Sequence, residues 1–298
     1  MSGGLPRSIK NNVTNNSRIR CHVKPKVLFM VIASNNPENE RDLQAQLSTW
    51  LGDLPPNYQF LMLRGSELSS FSYSSNTLYV PAQELYENIL LKTSLGILWA
   101  TEKMDFDLLI RTNVSTYFAI EHLDKLIDKI DTTKDFFGGY IERCKDPLSL
   151  NQIPIPYVTG TALVMTNSVA DILSRIPIEN YTGIPDDVAI SHYARISNLD
   201  ITPLKRNNFS QNHLFLPTYH IRLKTSKNSY LAARRMRDVH NYFIEKRKLI
   251  KVLKYFVVMG KELTYIEFQL GSFVDFSARL ATSTKHKILS RRIWKDSN

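Results

Sequence analysis

The chain has 298 residues, of which 43% are hydrophobic and 22% charged, and its formal net charge is +10. That is enough for one large core, or for a core domain with an appendage, and it reads as a globular enzyme. No run of about 18 apolar residues and no apolar signal segment is visible, and two cysteines, Cys21 and Cys144, argue against a disulfide framework. A reducing, cytoplasmic setting fits, and the excess positive charge asks for an anionic partner: a nucleotide sugar, a membrane surface or nucleic acid.

Residues 1–24 are rich in Asn, Ser, Lys and Arg and read as a loose arm. From Val27 to Ala33 the chain is continuously apolar, as expected of a central parallel strand, and Ser34-Asn35-Asn36 follows at its carboxyl end. Pro37 suits a first helical turn after an Asn cap, and Leu43, Leu47, Trp50 and Leu51 form the buried stripe of the next helix. This strand-loop-helix opening suits a nucleotide but lacks a glycine-rich phosphate fingerprint. Tyr58 to Leu63 reads as a second strand and Ser66 to Thr77 as a mobile loop.

A long helix follows, with Leu85, Ile89, Leu95, Leu98 and Trp99 at helical spacing, and then a short strand, Asp107 to Arg111, that stops at Arg-Thr-Asn-Val-Ser. An apolar strand ending in polar residues delivers side chains to the carboxyl edge of a sheet, where open α/β sheets bind ligands. Ile120 to Ile130 reads as an amphipathic helix, Phe136 to Ile141 as a glycine-broken strand, and Tyr157 onward as another strand before a helix at Asn167. Asp186-Asp187 opens a helix over Val188 to Arg195, where paired carboxylates serve either the helix dipole or chemistry. A short strand is expected at Leu214 to Leu216. Alternation then places His220, Arg222 and Lys224 on one face of an extended segment, either to meet an anion or to protect an exposed edge. From Ser226 to the end, basic and aromatic helices with breaks at Gly260 and Gly271 read as an appended docking region for an anionic membrane surface or partner.

Tyr86, Asn88, Lys92, Thr93 and Trp99 before that strand, then Tyr157-Val-Thr-Gly160-Thr-Ala-Leu-Val-Met-Thr166 and Asp186-Asp187-Val188, resemble in order and spacing the Fringe-related β-1,3-glycosyltransferases. The resemblance covers roughly residues 26–224. It implies an α/β, GT-A (Rossmann-like) mixed and mostly parallel sheet flanked by helices, with an arm over 1–24, a catalytic domain over 25–225 and a basic helical region over 226–298. It implies an inverting transferase moving a sugar from a nucleotide sugar, UDP-linked by preference, to a hydroxyl of a glycan or glycoconjugate. Arg41 before Thr49-Trp50 is similar to that family's opening helix, although a plain surface arginine reads equally well.

Carried onto this chain, the resemblance makes Asp187 the general base with Asp186 beside it. It assigns Ser34, Asn35, Arg41, Lys92, Arg111, Thr112, Asn113, Ser115, His220, Arg222 and Lys224 to the donor, and Tyr157, Gly160 and Thr161 to the acceptor side. Where the family has an Asp-rich motif for manganese or magnesium, this chain reads Asn113-Val114-Ser115. Neutral oxygens are poor ligands for a hard dication, so only weak candidates remain in Asn113, Ser115 and His220. Arg111, His220, Arg222 and Lys224 are then the expected compensation for a leaving diphosphate. Asn113-Val-Ser115 is also a glycosylation sequon, and cytoplasmic residence avoids a glycan on the expected site. The alternative is a non-catalytic relative that binds nucleic acid or membrane through the basic helices, although no nucleic-acid reading module is visible.

Overall fold

The computed structural model describes residues 24–148, 154–209, 218–224 and 231–258, with side chains as far as 250. The expected arm apart from Lys24, the strand at Leu214 to Leu216 and the breaks at Gly260 and Gly271 lie outside the described residues. In chain order the elements are β1 (Val27–Ile32), α1 (Pro37–Leu47), β2 (Tyr58–Gly65), β3 (Ser72–Ser74), β4 (Thr77–Val80), α2 (Ile89–Lys103), β5 (Leu108–Asn113), β6 (Thr116–Phe118), α3 (Ile120–Ile127), β7 (Phe137–Lys145), β8 (Pro154–Thr166), α4 (Asn167–Ser174), α5 (Asp186–Ile196), β9 (Ile201–Pro203), β10 (Asn207–Asn208), β11 (His220–Arg222) and α6 (Ala232–Val258). Single 3-10 turns sit at Tyr86–Asn88 and Ile178–Tyr181.

The described strands form an eight-stranded sheet in the order β3-β4-β2-β1-β5-β8-β7-β9 and a small sheet β10-β11-β6. β1 pairs in parallel with β2 and β5, while β8 runs antiparallel to both β5 and β7. This is the α/β, mixed and mostly parallel sheet with flanking helices expected of a GT-A, Rossmann-like chain. β1 is apolar throughout because it lies between β2 and β5 with both faces covered, Phe29 and Met30 being fully buried. One face packs on α2, α4 and α5 through Leu63, Ile97, Val169 and Ile190. The other carries an aromatic group in which the rings of Phe29, Trp50 and Phe118 lie 4.9 Å apart in each pair.

Several boundaries moved. α1 stops at Leu47, and Trp50 and Leu51 are buried from the turn that follows it rather than from a helix. The loop expected over Ser66 to Thr77 contains β3 and ends on the first residue of β4, and the two strands pair as a hairpin that extends the sheet through β2. Leu85 is 53% exposed and lies outside α2, whose first turn begins at Ile89. β5 runs two residues beyond Arg111, because the pairing with β1 continues to Ile32 opposite Asn113. The compact unit that contains the sheets extends through Val239 and buries Ala232, Met236 and Val239 of α6. A second unit begins at His240, and its described part is the remaining length of α6, with Lys248 paired to Glu245 at 2.8 Å. Among the described residues no helix is long and apolar enough to cross a membrane.

Candidate active site

The parallel strands β1 and β5 end side by side, and α5 begins beside them at Asp186. Arg111, two residues before the end of β5, donates through Nη2 to Asp186 Oδ2 in an ion pair and through Nη1 to the Gly160 carbonyl at 2.7 Å. Thr93 of α2 donates to the same Asp186 oxygen at 3.3 Å. One guanidinium therefore ties β5, β8 and α5 together at the carboxyl edge of the sheet.

Asp187 is held differently. Its Oδ2 accepts the Gly160 N–H at 2.8 Å and its Oδ1 the Val188 N–H at 2.9 Å. Burial, followed by the neighbouring Asp186 charge, pushes its carboxyl above the usual range, and this outweighs the N–H donors and Arg111. The approach of Gly160 depends on a register shift in β8. Gly139 of β7 pairs with Leu163 and Ile141 with Val158, so residues 159–162 stand opposite Tyr140 alone. A Cβ on Gly160 would meet Arg111 Nη1 at 2.7 Å and Asp187 Oδ2 at 3.3 Å, which is the physical reason for glycine there.

Asn113 and Ser115 form a self-contained turn. Asn113 Oδ1 accepts Ser115 N at 3.2 Å, Ser115 Oγ at 3.1 Å and Thr116 Oγ1 at 2.9 Å, and its amide donates to the Gly160 carbonyl at 3.3 Å. Gln46, fully buried on α1, fastens the same turn by donating to the carbonyls of Asn113 at 3.1 Å and Thr116 at 3.0 Å. These residues do not fit a resident divalent cation: the Asn113 oxygen has spent its lone pairs, Asp186 is bound to Arg111, and no carboxylate stands at 113–115. Among the described residues no group of three or more His, Cys, Asp or Glu is placed to hold a metal ion.

Five expected donor or acceptor contacts are corrected by burial. Arg111 is 4% exposed with two of its nitrogens engaged inside the protein, so it positions Asp186 instead of meeting a diphosphate as a free cation. Lys92 is buried, its ammonium donating to the Ala33 carbonyl at 2.9 Å and Glu84 Oε2 at 2.8 Å, and burial lowers its pKa. Thr112 and Thr161 face inward, Thr112 Oγ1 donating to the Thr161 carbonyl at 2.7 Å. His220 lies within hydrogen-bonding distance of Thr161 Oγ1 at 3.2 Å and stacks on Phe118; burial first, then Arg206, lowers its pKa to about 3. It is neutral at ordinary pH and neither joins an anion-binding face nor offers an open ligand position. Alternation holds for Arg222 and Lys224, which are exposed, but fails at His220 because the run from Thr218 to Ile221 is buried at every residue.

The remaining candidates are accessible. Ser34 Oγ, just past β1, accepts from Asn36 Nδ2 at 2.8 Å, and Asn35 Oδ1 accepts from Arg64 Nη1 at 2.6 Å. Arg222 is exposed, and Lys224 lies 4.0 Å from Glu38. Leu223 N donates to the Ser115 carbonyl at 3.1 Å, which sets this basic segment beside the Asn113 turn. Tyr157 is half-buried, donating to Glu142 Oε2 at 3.1 Å, and its pKa is raised by burial and then by Glu142. Arg41 lines a separate cavity that contains none of the Arg111–Asp187 residues.

Glu84, Gln46 and Arg206 were not singled out from the sequence. Glu84 receives the Gly65 N–H as well as Lys92, and Arg206 joins Thr159 at 3.0 Å to Glu142 at 2.9 Å. Their only local signal is a polar residue within or beside an apolar stretch, a pattern that surface positions share.

No family model matches the chain, and no curated protein matches it. Solved structures do. A mannosyltransferase from Pyrobaculum calidifontis, in complex with GDP-Man and Mn2+, is 12% identical over 74% of this chain and 62% of its own, with TM-score 0.41. The chain thus spans less than two thirds of that protein's length. A glycosyltransferase involved in glycosylation of the major capsid of PBCV-1 is 10% identical over 70% of this chain and 99% of its own, with TM-score 0.44. The apo-form glycosyltransferase GlyE of Streptococcus pneumoniae TIGR4 is 8% identical over 75% and 64%, with TM-score 0.41.

Proposed function

We propose that the chain is an inverting glycosyltransferase that moves a sugar from a nucleotide sugar, UDP-linked by preference, to a hydroxyl of a glycan or glycoconjugate, with Asp187 as general base. The observation that carries this reading is the Asp187 carboxylate: partly buried at the carboxyl edge of parallel strands, fixed by two backbone N–H groups, with a raised pKa beside an Asp186 already matched to Arg111. A carboxylate whose basicity is lifted by burial is suited to accept a proton from an acceptor hydroxyl.

In this reading the acceptor oxygen attacks the anomeric carbon and passes its proton to Asp187. The bond from that carbon to the diphosphate breaks on the opposite side, and the nucleoside diphosphate departs with the electron pair. Asn35 and Ser34 border the nucleotide at the exit of β1. The exposed Arg222, opposite Thr116 in the pairing of β11 with β6, is the cation for the leaving phosphates, since Arg111 and His220 are used inside the fold and Lys224 faces Glu38. The catalytic unit reaches Val239, and the basic helical remainder meets an anionic membrane surface.

Asp187→Asn keeps size and one of the two backbone acceptors while removing basicity. With a panel of nucleotide sugars, donor turnover should drop about 10²-fold or more while donor binding stays near wild type. Because the folded pKa is raised, wild-type turnover should rise with pH through a value above the ordinary carboxylate range. Undiminished turnover by Asp187→Asn would overturn the assignment.

A further inference from the structure

Between α1 and the first turns of α6 lies a groove whose chemistry the transfer reaction does not use. A cavity of about 400 Å³ is lined by Pro37, Glu40, Arg41 and Gln44 from α1 and by Ala233 and Arg237 from α6. The spacings of three, four and seven residues on α1 and of four on α6 mean that each helix turns a single face to it. The groove is fixed by packing: Asp42 is 3% exposed and accepts the Ala233 N–H, and Ala232 and Met236 are fully buried on the same turns of α6.

Its charge is unbalanced. Glu40 is the one carboxylate in the lining, and both its oxygens are committed, Oε2 to Arg64 at 2.6 Å and Oε1 to Gln44 at 3.0 Å. Arg64 accordingly holds the Glu40 carboxyl below its usual range. Asp42, its carboxyl raised to about 6 by burial and then by Glu38, is buried against the Ala233 N–H and is not part of the lining. Lys224 and Glu38 balance one another at 4.0 Å. Arg41 and Arg237 are exposed, and among the described residues neither has a carboxylate within ion-pair distance.

We propose that this groove is an anion site, separate in its lining from the Asp187 cluster, that takes a phosphate group between Arg41 and Arg237. Planar guanidinium forks brought from two helices match phosphate oxygens in pairs, which two lysines would not do. The volume lies within the range of small-ligand clefts and is too small for a folded partner. A soluble phosphate ester and a phospholipid headgroup share this chemistry.

The full chain is titrated at constant ionic strength with inorganic phosphate, and in parallel with phosphatidylcholine vesicles with and without phosphatidate. Arg41→Gln and Arg237→Gln should each weaken binding about tenfold or more. Arg234→Gln removes the same charge from α6 but lies outside the lining and pairs with Asp238 at 4.0 Å, so it should bind as wild type does. Arg41→Lys, which keeps charge but loses the fork, should fall between. Saturable phosphate binding that needs both arginines supports a soluble ligand, and phosphatidate-dependent vesicle binding that needs both supports a headgroup. Absence of both, or an equal loss in Arg234→Gln showing that net charge alone acts, would overturn the proposal.

Discussion

Two neighbourhoods along β8 bury charge, and they do so in opposite ways. At residue 160 the backbone serves Arg111 and Asp187, and burial, then Asp186, raises the Asp187 carboxyl's pKa. At residues 159 and 161 a closed chain runs from His220 through the hydroxyls of Thr161 and Thr159 to Arg206, then to Glu142 and Tyr157. There the histidine is neutral, and the arginine is covered by Tyr140 at 3.9 Å from the ring centroid and paired with Glu142. Burial of a titratable side chain thus does not by itself mark chemistry. The mark is a charged group whose partners stop short of neutralising it, at an edge that a ligand can reach.

The largest expected effect breaks the second neighbourhood with acid. His220 has a folded pKa of about 3 against an ordinary 6.5, so the unfolded chain binds its proton first. Stability should begin to fall as pH drops below about 6.5 and lose up to roughly 5 kcal/mol from this group by pH 3. Urea unfolding of wild type and His220→Gln across that window isolates the contribution, and matching slopes would show that the imidazole is not buried neutral.

Next, Arg111→Ala leaves Asp186 charged and partly buried, and should cost about 3–5 kcal/mol. Arg206→Ala strands a Glu142 whose side chain is 40% exposed and can regain water, so its cost should be smaller, about 1–3 kcal/mol. Equal losses in chemical denaturation would erase the distinction between the two regions. Asp187→Asn comes third, its 10²-fold loss of turnover corresponding to about 2.7 kcal/mol of transition-state stabilisation, beside a folding cost of about 1–3 kcal/mol from the backbone N–H that loses its acceptor. Gly160→Ala is the mildest, about 1–3 kcal/mol from the Cβ pressed on Arg111 Nη1 at 2.7 Å. In an Arg111→Ala background the same change should cost less, and an unchanged cost in a double-mutant cycle would show that the contact is not the cause.

Much of the fold is legible in the sequence because its period follows local burial. The unbroken run from Val27 to Ala33 reads as a covered strand, and the polar stop after Ile110 announces an edge. The Asp186-Asp187 pair and Gly160 are also visible as types in order, and the structure brings them within hydrogen-bonding distance. The β3–β4 hairpin was not legible, since the serine-rich edge strand β3 carries little apolar alternation, and the pairing of β4 with β2 is a long-range matter.

The sequence by itself determined the alternation of strands and helices, the carboxyl-edge location of the polar residues and the absence of a carboxylate at 113–115. Only the tertiary structure decided which cations remain available. Arg111, Lys92 and His220 look like free charges in one dimension, yet each lies beneath neighbours that come from 49 or more positions away: Gly160 and Asp186, Ala33, and Thr161. Partnership and desolvation depend on long-range packing, which no local pattern of residues encodes.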